Sequence, residues 1–418
     1  DALFQTEITE MRWDEAAARW IVTTNRNDAI RARFVCLASG PLHRPKLPGI
    51  PGVETFAGHS FHTSRWDYAY TGGDPNGNLT GLKNKRVGII GTGATAVQCV
   101  PHLGAAAKQL VVFQRTPSSI DVRANRPTDP AWVKSLAPGW QKQRMDNFNT
   151  LLTGVPQKED LVSDGWTDII RNLILGDGAK KFAGRGALTV DELVELADFE
   201  KMEQIRARVA AVVKDRETAE ALKPYYRQFC KRPCFHDEYL DTFNRPNVTL
   251  VDTKGRGVDR ITPSGVVANG VEYPLDCLIY ATGFEVGTGY TRRSGFELYG
   301  RGGQTLSDKW SKGVRTFHGF HVEGFPNCFV VSNIQSGFTV NFPHMLAEQA
   351  THIAYIVKHC ADTQTRVVEA SAEAEAQWVE TIRSLAILRR KYLEECTPGY
   401  YNNEGKPAER SEPDGFYG

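Results

Sequence analysis

The fold of this chain is decided by the stretch Lys85-Arg86-Val87-Gly88-Ile89-Ile90-Gly91-Thr92-Gly93-Ala94-Thr95-Ala96. Its apolar first half predicts a short buried strand, and its second half fits G-x-G-x-x-(G/A) at the start of a helix. In this pattern the first glycine permits a tight turn, and the second lets the backbone approach a pyrophosphate, which the helix N-terminus faces. The stretch therefore predicts a dinucleotide site made by Gly91, Thr92, Gly93, Ala94 and Thr95.

The next apolar run indicates which nucleotide binds. Leu110 to Gln114 reads as a strand, and it ends at Arg115 and Thr116 rather than at an acidic residue. NAD sites place a carboxylate there to hold the ribose hydroxyls, whereas a cation suits the 2′-phosphate of NADP. An arginine that is merely solvated at a strand end is the alternative, but Arg115 lies at the distance from the glycines that the motif expects. The sequence therefore predicts NADPH rather than NADH.

Length and charge limit the partners. The chain has 418 residues, with 50 lysines and arginines against 49 aspartates and glutamates. At roughly 150 residues per domain, two or three domains are expected. A net charge of +1 gives no global field that would attract nucleic acid or an anionic membrane. Small ligands are the expected partners, and no metal is expected at the site.

Apolar runs and cysteines bear on the location of the protein. No apolar run approaches the roughly 20 residues of a membrane span. The eight cysteines are scattered, and none forms a C-x-x-C pair. We therefore predict reduced thiols and a cytoplasmic location.

A second pattern lies just before the glycine motif. The residues Phe56-Ala57-Gly58-His59-Ser60-Phe61-His62-Thr63-Ser64-Arg65-Trp66-Asp67 fit F-x-G-x-x-x-H-x-x-x-W-(P/D). Taken alone, this stretch also suits an aromatic loop packed between domains. Together with the glycine motif that follows, it resembles the fingerprint of the type I Baeyer–Villiger monooxygenases, which are flavin-containing and NADPH-dependent. The matching positions are Phe56, Gly58, His62, Trp66 and Asp67.

The resemblance implies an α/β fold with two Rossmann-like dinucleotide-binding domains, in which an NADP domain is inserted into an FAD domain. We expect part of the FAD domain at 1–55, an interdomain linker with the fingerprint at 56–80, the NADP domain at 81–290, and the C-terminal part of the FAD domain at 291–418. Apolar strands that end in Ala38-Ser39-Gly40 and Ala281-Thr282-Gly283 are typical of the crossings between such domains.

Two further sequence patterns predict secondary structure outside these motifs. From about 122 to 228, apolar residues recur at three- and four-residue intervals, which predicts a helical insertion that lines a pocket. The segments 248–251, 265–268 and 272–275 predict a short β-meander, and a hairpin is predicted from Phe4–Met11 and Arg19–Thr24.

Two adjacent cations occur in Cys230-Lys231-Arg232-Pro233. A solvated loop is the simpler interpretation without the resemblance, but the family carries a Lys-Arg pair at this place in the chain. The resemblance implies that Lys231 binds the 2′-phosphate alongside Arg115 and that Arg232 is the catalytic cation. A permanent positive charge stabilises both an anionic peroxyflavin and the oxyanion formed on a ketone.

The resemblance also implies the reaction. NADPH reduces FAD, O₂ adds to give a C4a-peroxyflavin, and oxygen is inserted next to a ketone carbonyl to give an ester or lactone. A helix that begins after Asn341 is expected to direct its N-terminus at the flavin, with Met345 nearest to it. His62 and Trp66 are assigned to the domain link, since this reaction needs no base there. The segments 339–345 and 396–405 are similar to the branch that acts on large rings and steroid-like ketones.

The chain departs from the family in one respect, and two alternatives stay open. The family's FAD-binding G-x-G-x-x-G and the acidic partner of the catalytic arginine belong to a region that would precede Asp1, so we expect an N-terminally incomplete chain. One alternative is an N- or S-oxygenating flavin monooxygenase, whose fingerprint usually ends in Phe or Tyr where this chain has Trp66-Asp67. The other is a catalytically incomplete NADP-binding fragment.

Overall fold

The computed structural model describes residues 2–173, 188–286, 288–332, 334–336 and 340–405. The chain divides into two compact units, one made of 1–44 and 285–418 and the other of Pro45–Phe284. In chain order the second unit is thus inserted into the first. The sequence suggested boundaries at 55 and 290, whereas the structure divides the chain after Arg44 and after Phe284.

The first unit begins with antiparallel strands, which bury one face. They are β1 (Ile8–Asp14), β2 (Arg19–Thr24) and β3 (Ala29–Ala32), followed by a separate strand β4 (Val35–Leu37). Met11, Trp13 and Trp20 are buried, because alternate side chains of a strand point to the same face. The predicted hairpin is confirmed, although its first strand begins only at Ile8.

The second unit contains a five-stranded sheet, a smaller antiparallel sheet and several helices. The elements are β5 (His59–His62), α1 (Tyr68–Thr71), β6 (Arg86–Ile90), α2 (Ala94–Ala106), β7 (Gln109–Gln114), β8 (Ile120–Asp121), α3 (Pro130–Ser135), α4 (Trp140–Leu152), α5 (Gly165–Leu173), α6 (Val190–Val212), α7 (Arg216–Ala221), β9 (Cys234–Phe235), α8 (Tyr239–Thr242), β10 (Val248–Asp252), β11 (Arg260–Thr262), β12 (Gly265–Ala268), β13 (Val271–Pro274) and β14 (Cys277–Tyr280).

The five-stranded sheet has the order β10-β7-β6-β14-β5, and every neighbouring pair is parallel. Its central strands are nearly continuous apolar runs because both faces are covered. In a parallel sheet all carboxyl ends meet at one edge. Gly91 follows β6 there, Arg115 follows β7, and His62 ends β5. This is a Rossmann-like arrangement, in which ligands bind at that edge.

One strand was misassigned from the sequence. Val248–Asp252 is a strand of the parallel sheet, paired with β7, and not part of a meander. The meander consists of β11, β12 and β13. A short segment such as Val248-Thr249-Leu250-Val251 is compatible with either kind of sheet, so periodicity alone does not distinguish them.

The remaining elements of the first unit follow the second in the chain. They are α9 (Tyr290–Ser294), β15 (Glu297–Tyr299), α10 (Leu306–Lys309), β16 (Cys328–Val330), α11 (Phe342–Asp362) and α12 (Ala372–Glu395). Strand β15 pairs in parallel with β1, and β16 pairs in parallel with β4, so the two halves of this unit form joint sheets. The helix predicted to begin after Asn341 is confirmed.

The insertion between 122 and 228 is helical wherever the structure describes regular elements in it, from α3 to α7. No helix in the described ranges combines the length and apolar character of a membrane span. The prediction of reduced cysteines is confirmed for Cys36, Cys99, Cys234, Cys277, Cys328 and Cys360. It is wrong for Cys230 and Cys396, which are not among the free thiols.

Candidate active site

Gly91 makes the turn between β6 and α2, and only glycine fits it. Its φ is +112°, and a Cβ atom there would lie 2.5 Å from the carbonyl oxygen of Ala281. Its N–H donates to the carbonyl oxygen of Phe113, 3.0 Å away. The turn is therefore fixed against both neighbouring strands of the sheet.

Gly93 leaves open space at the start of α2. It is the N-cap residue, provides no side-chain cap, and a Cβ atom at this position would meet nothing within 4 Å. Ala94 and Thr95 form the first turn, whose N–H groups have no partner within a helix. Ala96 is fully buried and lets the helix pack on the sheet. An open helix N-terminus of this kind suits a phosphate.

Hydrogen bonds tie this turn to the chain that follows β7. Thr92 Oγ1 donates to the carbonyl oxygen of Thr116 at 2.8 Å, and Ser118 Oγ donates to the carbonyl oxygen of Thr92 at 2.5 Å. The carbonyl oxygen of Arg115 accepts from Gly255 N at 2.9 Å. The backbone of Arg115 and Thr116 is thus held beside the glycine turn, and the Arg115 side chain is exposed.

The Lys-Arg pair is connected to the same region through a short parallel ladder. Strands β8 and β9 pair Ile120 with Cys234, and Cys234 N donates to the carbonyl oxygen of Ser119 at 3.0 Å. The chain just after Thr116 therefore pairs with the chain just after Arg232. Lys231 is half-buried and Arg232 is exposed.

Trp166 lies under the Arg232 side chain. The guanidinium carbon is 5.9 Å from the centroid of the indole ring, within the range of a cation–π interaction. Trp166 also contacts Phe235 edge to face, at 5.3 Å between centroids. A Cβ atom on Gly165 would lie 2.1 Å from the Phe235 ring, so glycine permits this close packing.

The first half of the fingerprint forms the edge of the nucleotide sheet. Phe56 packs against a buried cluster of the second unit. A Cβ atom on Gly58 would lie 2.6 Å from the Phe56 ring and 2.9 Å from the carbonyl oxygen of Asp276, so glycine is needed there. Strand β5 then pairs in parallel with β14. The segment that the sequence suggested as a linker thus belongs to Pro45–Phe284.

His62 is buried at the end of β5. Its Nδ1 is 2.9 Å from Ser64 Oγ, and its ring meets Phe284 edge to face at 5.6 Å. Nε2 is buried without a hydrogen bond of good geometry to any described residue. Burial lowers the pKa of His62, and the backbone of Gly283 acts in the opposite direction. His62 is therefore a neutral packing residue near pH 7.

Trp66 and Asp67 organise the short helix α1. Trp66 Nε1 donates to Thr71 Oγ1 at 3.0 Å. Asp67 caps the helix by accepting from Tyr70 N at 3.1 Å, and its other carboxylate oxygen is 2.9 Å from His59 Nε2. These contacts stabilise the local structure at the start of α1.

Met345 belongs to the first unit. It is buried in the first turn of α11, and Ser336 Oγ donates to its sulfur at 3.5 Å. Gln349, one turn later, donates from Nε2 to the carbonyl oxygen of Ser332 at 2.7 Å. Gln349 Oε1 is buried and has no hydrogen-bond partner among the described residues.

Sequence reasoning missed two residues of this region. Ser118 carries no motif, although its place two residues after Thr116 was a usable signal. Trp166 is distant in the chain from Arg232, and no local pattern links them. The packing of Gly165 on Phe235 helps to bring the indole under the guanidinium.

Comparisons with other proteins identify the family. No protein-family profile matches the chain. Neopentalenolactone D synthase of Streptomyces avermitilis is 60% identical over 411 residues, which are 97% of this chain and 69% of that protein. A Baeyer–Villiger monooxygenase of Streptomyces coelicolor is 49% identical over 412 residues, which are 97% of this chain and 67% of that protein.

Solved structures with a similar fold also include monooxygenases. The polycyclic ketone monooxygenase of Thermothelomyces thermophila has a TM-score of 0.86 and 40% identity, covering 99% of this chain and 69% of that one. A complex of OTEMO with FAD and NADP has a TM-score of 0.73 and 29% identity, covering 91% and 72%. The predicted fold class is confirmed. The identities over nearly its whole length show that this chain belongs to the Baeyer–Villiger monooxygenase family.

Proposed function

We propose that this protein is an NADPH- and FAD-dependent monooxygenase that inserts one oxygen atom from O₂ next to a ketone carbonyl and gives an ester or lactone. The observation that carries the proposal is the hydrogen-bonded arrangement at the carboxyl edge of the parallel sheet. There the glycine turn, Arg115-Thr116 and the Lys231-Arg232 segment are joined through Thr92, Ser118 and the β8–β9 ladder. Family membership supports the same chemistry.

The second unit fits NADP. The open space beside Gly93 and the bare N-terminus of α2 suit the pyrophosphate, which binds N–H groups and a positive dipole end. We assign Gly91, Thr92, Gly93, Ala94 and Thr95 to this part. Arg115, Thr116 and Lys231 would hold the 2′-phosphate, because two cations suit a phosphate dianion better than ribose hydroxyls.

The first unit offers a partial fit for FAD. Met345 is buried in the first turn of α11, and Gln349 Oε1, one turn later, has no hydrogen-bond partner among the described residues. We infer that this part of the helix suits the polar edge of a flavin ring. The sequence has one G-x-G-x-x-(G/A) motif, which we assign to NADP, so we assign only Met345 to the flavin. When bound, NADPH supplies the hydride, and FAD supplies the ring that activates O₂.

Arg232 is the residue that we assign to catalysis. Its guanidinium would stabilise the oxyanion that forms on the ketone oxygen, as a preorganised cationic donor does. The exposed side chain rests over Trp166 and is accessible to a ligand. The fingerprint residues are assigned to structure, because the buried His62 is hydrogen-bonded to Ser64 and Asp67 caps α1.

We further propose a ring ketone of polycyclic shape as the substrate and a lactone as the product. This narrower assignment is supported by the names of similar proteins, a neopentalenolactone D synthase and a polycyclic ketone monooxygenase. The segments 339–345 and 396–405 suggested this branch from the sequence, and Thr339 lies outside the described residues.

The test uses the purified protein with FAD, NADPH, isotopically labelled O₂ and a fused-ring ketone, in parallel with a thioether and a tertiary amine. We expect a lactone that carries one labelled oxygen atom, and faster turnover with NADPH than with NADH. Sulfoxide or N-oxide formation without lactone would instead support the N- or S-oxygenating alternative. Binding of NADP⁺ without any oxygenated product, even with FAD present, would support the NADP-binding alternative.

A further inference from the structure

Helix α6 of the insertion contacts the segment just before Lys231 and Arg232. Asp198 is 3% exposed, and one of its carboxylate oxygens accepts from Gln228 N at 2.9 Å. The other accepts from Arg227 Nε at 3.0 Å. The backbone three residues before Lys231 is therefore fixed by a buried carboxylate from a helix that lies outside every motif of the sequence.

The same helix contacts the segment just after the cation pair. Arg208 donates from Nη1 to the carbonyl oxygen of Ile120 at 2.9 Å and from Nη2 to that of His236 at 3.0 Å. Since Ile120 and Cys234 are paired, one guanidinium fixes both strands of the β8–β9 ladder. Residues 228–236 are thus held to α6 at both ends.

A third contact extends to the helix that carries Trp166. Lys201 is 8% exposed, and its ammonium lies 2.7 Å from a carboxylate oxygen of Asp121 and 2.7 Å from one of Asp168. Asp121 belongs to β8, and Asp168 lies two residues after Trp166 on α5. Asp198, Lys201 and Arg208 are spaced by three and seven residues, so they share one face of the helix.

We propose that Asp198 is a positioning residue for Lys231 and Arg232, an inference that rests on the proposed function. It touches neither substrate nor cofactor in this proposal and acts by fixing the backbone at Gln228. A carboxylate is required because both groups that face it, an N–H and a guanidinium, are donors. Asparagine would turn an NH₂ group toward one of these two donors, which then loses its carboxylate acceptor at a mostly buried place, and this is costly.

The experiment compares Asp198→Asn with a matched control on the same helix. Glu195 lies one turn earlier, its carboxylate is 3.9 Å from Arg227, and its side chain is 43% exposed. Glu195→Gln therefore removes one negative charge near Arg227 without touching Gln228. We expect Asp198→Asn to raise the Kd of NADP⁺, measured by calorimetry, about tenfold. The fraction of consumed NADPH that ends as hydrogen peroxide should also rise, with FAD content unchanged.

Two further variants distinguish a local positioning effect from a general loss of folding. Arg227→Gln removes the guanidinium that pairs with Asp198 and Glu195 but leaves the hydrogen bond from Gln228 N to Asp198 in place. We expect this variant to bind NADP⁺ about threefold more weakly than the wild type. Asp198→Glu keeps the charge and should recover part of the affinity. The positioning role would be overturned if Asp198→Asn, Arg227→Gln and Glu195→Gln all had the same NADP⁺ affinity and lost the same fraction of NADPH as hydrogen peroxide. A wild-type protein that binds no NADP⁺ would overturn both the proposed function and this inference.

Discussion

Thr92 Oγ1 donates a hydrogen bond of 2.8 Å to the carbonyl oxygen of Thr116, and this bond joins the two loops that we assign to NADP. Thr92 belongs to the glycine turn after β6, and Thr116 follows β7. Ser118 Oγ returns a hydrogen bond to the carbonyl oxygen of Thr92, so the two loops are linked in both directions. These two bonds fix the spacing between the glycine turn and the backbone that follows β7.

Replacing Thr92 tests this link. Thr92→Val keeps the shape of the buried side chain and removes the donor, which leaves the Thr116 carbonyl without this bond. We expect a loss of about 1 kcal/mol in the free energy of unfolding and about fivefold weaker NADP⁺ binding. Thr92→Ser retains the hydroxyl and serves as the control. Identical NADP⁺ affinity for the valine and serine variants would contradict the role assigned to this bond.

Replacing Arg115 tests the choice between NADPH and NADH. Arg115→Ala should lower kcat/KM for NADPH by about 10- to 100-fold, the effect of one lost charge-assisted hydrogen bond, and leave kcat/KM for NADH nearly unchanged. Lys108→Ala is the matched control, because Lys108 is an exposed cation at the opposite end of β7. An equal loss with both cofactors would show that Arg115 does not contact the 2′-phosphate.

Replacing Arg232 separates charge from position. Arg232→Ala should lower the rate of lactone formation at least 100-fold, about the effect of losing one preorganised oxyanion donor, while NADPH oxidation continues. Trp166→Phe keeps an aromatic face under the guanidinium, whereas Trp166→Ala removes it. We expect the phenylalanine variant to retain most of the coupling between NADPH use and lactone, and the alanine variant to lose it. Normal lactone formation in Arg232→Ala would refute the catalytic assignment.

The sequence predicted those parts of the fold and site that depend on neighbours in the chain. Strand β6, the turn at Gly91, helix α2 and strand β7 follow from one apolar run, two glycines and a second apolar run, and the structure has all four. The hairpin of β1 and β2 follows from alternation within each strand. In these cases a short window of residues contains the whole physical cause.

The parts that depend on distant neighbours were not predictable. Strand β5 has only four residues, and its sequence is polar enough to read as a linker. Pairing with β14, more than 200 residues later in the chain, makes it a strand. Asp198 looks like any acidic residue of a charged helix until Gln228 and Arg227 are found to face it. Contacts of this kind leave no period or motif in the sequence.

A histidine cluster in the first unit predicts how stability responds to acid. His321 is buried, and its pKa is lowered to about 4 by burial and by the nearby His352 and His318. The folded protein therefore keeps His321 neutral, whereas the unfolded chain takes up a proton at the ordinary pKa of 6.5. Unfolding thus gains protons between about pH 6.5 and 4, and stability falls as the pH falls through this window.

Urea unfolding at pH 7 and pH 5 measures this effect. We expect His321 to account for a loss of about 2 kcal/mol in the free energy of unfolding over this interval, at about 1.4 kcal/mol per pH unit below pH 6.5. His321→Gln removes the titrating group and should lessen the pH dependence by that amount, even if the variant is less stable at pH 7. His359→Gln, at an exposed position on α11, is the control for the substitution of a histidine by glutamine. The same pH dependence in His321→Gln and wild type would assign the acid sensitivity to other groups.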